Sequence, residues 1–376
     1  MRILLQGYYG FGNLGDDVLL RVTLGIMRQI FPQAHYTLFV NAPAERAAYL
    51  QTYLGEKLDY INYSARAHFD LIVHGGGGVH YDYAPGSFWH YLLNRFISIQ
   101  PQAFTGLYHA YKKLKGKEHI TAAHRVGLGI GLGTFTSSSS KWYTNVPVLT
   151  GYEYLMVRDS HSKMRASSLC PKAQVVLGTD LAFYTDYWRP LVAPPSGSNA
   201  TRVGFVLRDW PHPDYLMQCI RVAGKLAAMG LQISFFSFEQ LYDKTYIRML
   251  NGKFPCTTWP QDEKSFFAQF AAQDVIVTSR FHGAILASIF HIPSVTIAIE
   301  PKLSTLRELL PQSCRLISVS EAETKGINEI TTMLKEPETW RANAVSDALR
   351  NRNQIENSIL DFKNFVKGFS WNGLTE

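Results

Sequence analysis

Over the first half of the chain, short apolar runs alternate with stretches of helical periodicity. Arg2–Gln6, His35–Val40, Phe69–Val73, Val126–Ile130, Tyr154–Val157 and Gln174–Leu177 are short runs rich in branched side chains and read as strands. Asp16–Ile30 and Ala44–Leu54 repeat their apolar positions at helical spacing and read as helices. Apolar runs without polar alternation suit a parallel sheet covered on both faces. Strands that alternate with helices predict a doubly wound architecture.

The stretch Arg189–Arg202, RPLVAPPSGSNATR, is rich in Pro, Ser and Gly and reads as a linker. After it the alternation restarts. Arg202–Leu207, Gln232–Phe236, Val275–Thr278 and Ser294–Ala298 are the expected strands, with helices at Asp214–Met229, Glu263–Ala272 and Phe281–Phe290. Glu321–Val366 is mostly helical in pattern. The expectation is an α/β chain of two doubly wound, Rossmann-like domains in a GT-B-like arrangement. Residues 1–190, with a helical insert at 86–118, would form the acceptor side, 201–335 the donor side, and 336–376 a helical tail. Ligands of such sheets bind beyond the carboxyl ends of the strands, here expected across a cleft.

Composition narrows the class without changing this picture. Of 376 residues, 46% are hydrophobic and 18% charged, an ordinary globular balance. The most apolar run, Ala284–Ile299, is interrupted by His291 and Pro293, and a membrane span needs about 20 apolar residues. The opening MRILLQGYYG lacks the form of a signal peptide, so a cytoplasmic location is expected, at the inner face of the cell membrane if the insert touches lipid. Cys170, Cys219, Cys256 and Cys314 are scattered without metal-ligand spacing, so no metal is expected. The net charge of +7 is concentrated between Gly86 and Arg125, where Arg95, Lys112, Lys113, Lys115, Lys117 and Arg125 face only Glu118. Such a local excess points to a local anionic partner and not to nucleic acid.

Three glycine or basic segments carry candidate chemistry. Gly10, Gly12 and Gly15 form GxGxxG between the first strand and helix. A dinucleotide site would want an acid near Val40-Asn41, and Asp16 and Asp17 would repel a pyrophosphate. The loop is either a tight capped turn or a wall of an acceptor site in which Asn13 or Asp16 binds a sugar hydroxyl. His74-Gly75-Gly76-Gly77-Gly78 follows a strand, so Gly76 and Gly77 could let backbone approach a ligand closely. In the second half, Arg208, Arg280, His282 and Lys302 all follow strands, and a helix opens at Phe281–Ala284. Together they read as an anion trap for a phosphate and a carboxylate. Between Ser87 and Leu114, two helical patterns carry apolar stripes: Phe88, Trp89, Leu92, Leu93, Phe96 and Ile97, then Phe104, Leu107, Tyr108, Tyr111 and Leu114. They read as a hairpin packed on the first domain, or as a membrane-surface patch beside a lipid-linked acceptor.

The ordered set GYYGFGNLGDD, HGGGG, VRDSHS (Val157–Ser162), GTD (Gly178–Asp180) and SRFHGAILAS with the trailing Lys302 resembles the polysaccharide pyruvyl transferase family over about residues 1–310. The resemblance implies a GT-B-like fold and transfer of a pyruvyl group from phosphoenolpyruvate to a saccharide, as a cyclic ketal, in cell-surface (exopolysaccharide) biosynthesis. It maps donor binding onto Arg208, Arg280, Phe281 and His282. Phe281 stands where the family usually has Leu, and Glu300 where it often has Tyr. On this scheme His282 is the general acid and Asp16 or Asp17 the base, with no cofactor besides the donor and no metal. Two other classes remain in view. One is a nucleotide-sugar glycosyltransferase of the same fold, with Glu239 or Glu300 on the ribose. The other is a non-catalytic saccharide- or membrane-surface-binding protein.

Overall fold

The computed structural model describes the chain except residues 41–43, 83–86, 115–119, 191–200, 211–213, 240, 261 and 370–376. Most of the expected linker, Asn41, Lys115 and Lys117 therefore lie outside the described residues.

The chain divides into two compact units. The first comprises Met1–Gly10, Asp16–Tyr187 and Gln354–Glu376. Its strands are β1 (Arg2–Gln6), β2 (His35–Phe39), β3 (Asp59–Ile61), β4 (Ala67–Asp82), β5 (Ile120–Phe135), β6 (Tyr154–Val157) and β7 (Gln174–Leu177). They form one sheet in the order β3-β2-β1-β4-β5-β6-β7, and its paired strands are parallel. Ile3, Leu4 and Leu5 of β1 are all fully buried, as a strand covered on both faces requires.

The second unit comprises Phe11–Gly15 and Trp188–Asn353. Its strands are β8 (Arg202–Val206), β9 (Gln232–Ser237), β10 (Cys256–Thr258), β11 (Val275–Thr278), β12 (Ser294–Ile297) and β13 (Cys314–Ile317). The order β10-β9-β8-β11-β12-β13, again parallel, is the doubly wound order. Aromatic rings pack on both faces of this sheet. Phe205 and Phe235 stack at 5.0 Å, and Phe236 meets Phe270 edge-on at 5.4 Å.

One element departs from expectation. HGGGG is not a loop after a short strand, because β4 continues to Asp82 and pairs with β5, with Gly75 opposite Leu128 and Gly77 opposite Ile130. The facing strand reads Gly127-Leu-Gly-Ile-Gly-Leu-Gly, so glycine that signals a turn locally is here paired with another glycine-rich strand. The register shifts between Gly77 and His80, and Gly76 and Gly77 have φ of +69° and +84°, which favour glycine.

The motifs VRDSHS and GTD build the scaffold of the first unit. Arg158 lies 3.5 Å from Asp159 and 3.7 Å from Asp180, all buried. Asp159 caps the helix Ser160–Leu169 by accepting from Ser162 N at 2.7 Å, and Asp180 accepts from Ala182 N at 3.0 Å. The long helix Pro337–Lys367 runs from the second unit into the first. There Tyr154 packs on Phe362 and Phe365, and Gln354 donates to Gly178 O at 2.7 Å.

The insert is a pair of helices, Phe88–Ile99 and Pro101–Leu114, the first opened by a capping box between Ser87 and His90. Its apolar stripe is only partly packed. Ile97 is buried, but Phe88 and Trp89 are 68% and 76% exposed, and Leu92, Phe96, Ile99, Leu107, Tyr111 and Leu114 are also exposed. No described helix is long and apolar enough to cross a membrane.

Candidate active site

Three loops of the second unit leave the carboxyl ends of β8, β11 and β12. β11 ends in Thr278, and the chain turns at once into the helix Phe281–Ile289. Thr278 Oγ1 accepts from Arg280 N at 3.0 Å, which fixes the turn. Gly283 follows because a Cβ there would stand 2.1 Å from Thr278 Oγ1.

Arg280 faces inward. It is 7% exposed, donates from Nε to Leu207 O at 3.0 Å and from Nη1 to Glu239 Oε2 at 3.2 Å, and also pairs through Nη2 with Asp243. Asp243 in turn accepts from Ser237 Oγ at 2.9 Å and from Glu239 N at 3.2 Å. Burial would lower the pKa of Arg280, but Asp243 and Glu239 outweigh it and hold the guanidinium charged. Burial pushes both carboxyls above the usual carboxylate range, with Arg280 opposing. This guanidinium, expected to bind the donor, ties the ends of β8 and β9 to the start of the helix.

The partly exposed cations are Arg208 and Lys302. The Arg208 side chain is 30% exposed and that of Lys302 23%. Both bind the same oxygen of Glu300, Arg208 Nη1 at 3.3 Å and Lys302 Nζ at 2.9 Å. Two cations thus share one buried carboxylate at this edge of the sheet. Arg208 also lies over Trp210 at 5.1 Å, and its backbone N–H donates to Ser279 Oγ at 3.1 Å. Tyr215 donates to the same Ser279 hydroxyl.

The glycine turn Phe11–Gly15 belongs to this cluster. Leu14 N donates to Phe238 O at 2.9 Å, and Asn13 Nδ2 to Glu239 Oε2 at 3.3 Å. A Cβ at Gly15 would lie 2.0 Å from Nδ1 of His282. His282 is half-buried, edge-on to Phe281 at 5.6 Å. The structure thus brings together Asn13, Arg208, Arg280, Phe281, His282 and Lys302 in one unit. Sequence reasoning gave no place to Asp243, Ser279 or Tyr215. An acid a few residues past a strand end is too common to stand out by itself.

Asp16, Asp17, Gly76 and Gly77 belong to the first unit. Asp17 is 1% exposed and accepts from the Tyr49 hydroxyl, which fits a structural carboxylate. Asp16 is half-buried, and a Cβ at Gly77 would lie 3.2 Å from its Oδ1. A Cβ at Gly76 would stand 2.8 Å from Leu19 Cδ1. Gly76 thus serves close packing against the helix Leu14–Ile30.

The fold has relatives of known structure. UDP-GlcNAc 2-epimerase from Neisseria meningitidis, solved with UDP-GlcNAc, aligns at TM-score 0.55 and 12% identity over 98% of this chain and 100% of its own. The Staphylococcus aureus protein MnaA, solved with UDP, gives 0.59 and 10% over 98% of each chain. Anabaena HepE, solved with UDP, gives 0.58 and 13% over 98% and 100%. These likenesses define a GT-B-like α/β fold. No curated protein matches the chain in sequence. A sequence model of the family described as polysaccharide pyruvyl transferase matches residues 13–301, most of the chain. The chain belongs to that family, whose members are transferases acting on polysaccharide.

Proposed function

We propose that this enzyme transfers the pyruvyl group of phosphoenolpyruvate to a saccharide. The observation that carries the reading is the pair Arg208 and Lys302, partly exposed on one Glu300 oxygen beside the amino terminus of the helix Phe281–Ile289. A small dianion with a phosphate and a carboxylate suits a planar guanidinium, an ammonium and a helix amino terminus together. Glu239 and Glu300, the acids a nucleotide-sugar enzyme would set on a ribose, are each engaged by a cation, which favours the pyruvyl reading over the glycosyl one.

In the reaction a proton adds to the methylene carbon of the donor, and C2 becomes oxocarbenium-like. One sugar hydroxyl oxygen bonds to C2. The C2–O bond to phosphate breaks, and a second hydroxyl of the same sugar closes the ketal. The two hydroxyl protons balance the new methyl C–H and the released phosphate. His282 supplies the first proton, and Asp16 is the base for the hydroxyl. Arg280 holds the turn that presents His282. The exposed apolar face of the insert, with Arg95 exposed and Lys112 half-exposed, fits an anionic membrane surface carrying a lipid-linked acceptor.

The test is a thermal-shift comparison of phosphoenolpyruvate, UDP, GDP and NAD. At a ligand concentration of 100 Kd, a specific donor stabilises by about 2.7 kcal/mol. A shift with phosphoenolpyruvate alone supports the reading. A shift with a nucleotide and none with phosphoenolpyruvate overturns it.

A further inference from the structure

The first unit holds a second cationic site that the transfer reaction does not use. A cavity of about 200 Å³ is lined by Gln6, Tyr63, Tyr108, His109, Lys112 and Arg125, among others. Arg125 comes from β5, and His109 and Lys112 come from the helix Pro101–Leu114. On that helix the spacing of Tyr108 and Lys112 sets them on one face, with Lys112 Nζ 4.9 Å over the Tyr108 ring. Leu107, Tyr111 and Leu114 of the same helix are exposed.

Arg125 is unusual for what surrounds it. Among the described residues no carboxylate pairs with it and no hydrogen bond holds its guanidinium. Glu153, whose backbone N–H donates to Arg125 O at 3.0 Å, turns its carboxylate to His124 at 3.0 Å. Strand alternation sets His124 and Arg125 on opposite faces of the sheet. The groups that face Arg125 electrostatically are Tyr152, His74 and His80. His80 donates from Nδ1 to Asn145 Oδ1 at 2.7 Å and accepts at Nε2 from Tyr152 OH at 3.0 Å, a neutral arrangement. Burial, reinforced by Arg125, keeps both imidazoles uncharged at neutral pH. Burial also lowers the pKa of Arg125 itself. Arg125 is half-buried, and a partly desolvated cation with no counter-charge among the described residues is open to an anion from solution.

We propose that this cavity binds a phosphate group, gripped by Arg125 and Lys112. The guanidinium fork matches phosphate oxygens, and the ammonium adds a point charge from the helix Pro101–Leu114. Tyr63 and Tyr108 supply apolar walls for the organic part of a phosphate ester. The exposed apolar face on the neighbouring side of the same helix makes an amphiphilic ester one source and a free soluble phosphate the other.

The test is calorimetric titration of the full chain with inorganic phosphate in chloride buffer, without donor or acceptor, so its outcome is independent of the transfer reading. Wild type is compared with Arg125→Met, Lys112→Gln and, as a control for the donor site, Arg208→Ala. Losing charge-assisted bonds of this kind weakens binding by roughly 10- to 100-fold. Arg125→Met is expected to lose a phosphate site that Arg208→Ala retains, and Lys112→Gln to weaken it. Arg125→Met should also melt no lower than wild type in phosphate-free buffer, which a structural arginine would not allow. If Arg125→Met does not fold, Lys112→Gln decides. Phosphate binding unchanged by both substitutions, or absent from wild type, overturns the proposal. Titration with dihexanoylphosphatidic acid distinguishes the sources. Tighter binding than inorganic phosphate supports an amphiphilic ester, and equal binding supports a free phosphate.

Discussion

Arg280→Met should be far more damaging to stability than an exposed ligand-binding arginine would be. The substitution removes the bonds to Leu207 O at 3.0 Å and Glu239 at 3.2 Å, together with the pair to Asp243. It leaves two adjacent carboxylates, Asp243 with its side chain fully buried and Glu239 nearly so, without their cation. Breaking a buried ion pair on one side costs about 3–5 kcal/mol. In a domain of about 150–250 residues each kcal/mol moves Tm by about 2–4 °C, so the second unit should melt roughly 6–20 °C lower. The deficit should depend on pH in a defined direction. Burial already raises the pKa of Glu239 and Asp243, and removing Arg280 removes a pull that lowers both. A carboxyl with a raised folded pKa favours the folded state below its unfolded pKa and loses that advantage as pH rises through the folded value. The deficit should therefore be largest near about pH 8 and shrink toward about pH 5. Differential scanning calorimetry of both proteins across that range reads it directly. A deficit under about 1 kcal/mol, or one that grows on acidification, would refute the inward role of Arg280.

Other positions give independent expectations. Gly15→Ala places a methyl 2.0 Å from Nδ1 of His282, so displacing the ring should cost about 1–3 kcal/mol and lower turnover; normal activity and melting would contradict the packing. Asp17→Asn weakens its bond to Tyr49 and should lower stability by about 1–3 kcal/mol in denaturant titration, with turnover of the folded fraction kept. Asp16→Asn should do the reverse, lowering kcat about 10²–10⁴-fold without loss of stability, and equal turnover in the two variants would remove Asp16 as base. Charge reversal at Arg95 and Lys112 should weaken sedimentation with anionic vesicles, and added salt should weaken it too. Equal partition onto neutral vesicles would leave the insert as a packed hairpin only.

The two doubly wound sheets were legible because buried parallel strands write themselves as unbroken apolar runs. β6, β7 and β11 fall where those runs predict. Short edge strands such as β3 and β10 were not, since three residues carry too little periodicity. The extension of β4 through four glycines was hidden for a different reason. Glycine reads as a turn locally, and only the pairing with an equally glycine-rich β5 makes the strand. At the site, residue types were legible and partners were not. Arg280 after a strand reads as a cation for a ligand, and its bonds to Asp243 and Glu239, far along the chain, leave no mark in the sequence. The turn Phe11–Gly15 reads as part of the first domain by sequence order, yet its bonds run to Phe238 and Glu239.

Pyruvyl transfer itself is read by incubating the purified chain with phosphoenolpyruvate and a panel of saccharides that offer two neighbouring free hydroxyls. Phosphate release and the mass of the acceptor are followed together. Phosphate release should require the acceptor and match in amount a saccharide heavier by one pyruvyl ketal. His282→Asn should lower kcat by about 10²–10⁴-fold with little change in donor affinity. Glycosyl transfer from a nucleotide sugar, with no acceptor-dependent phosphate from phosphoenolpyruvate, would contradict it.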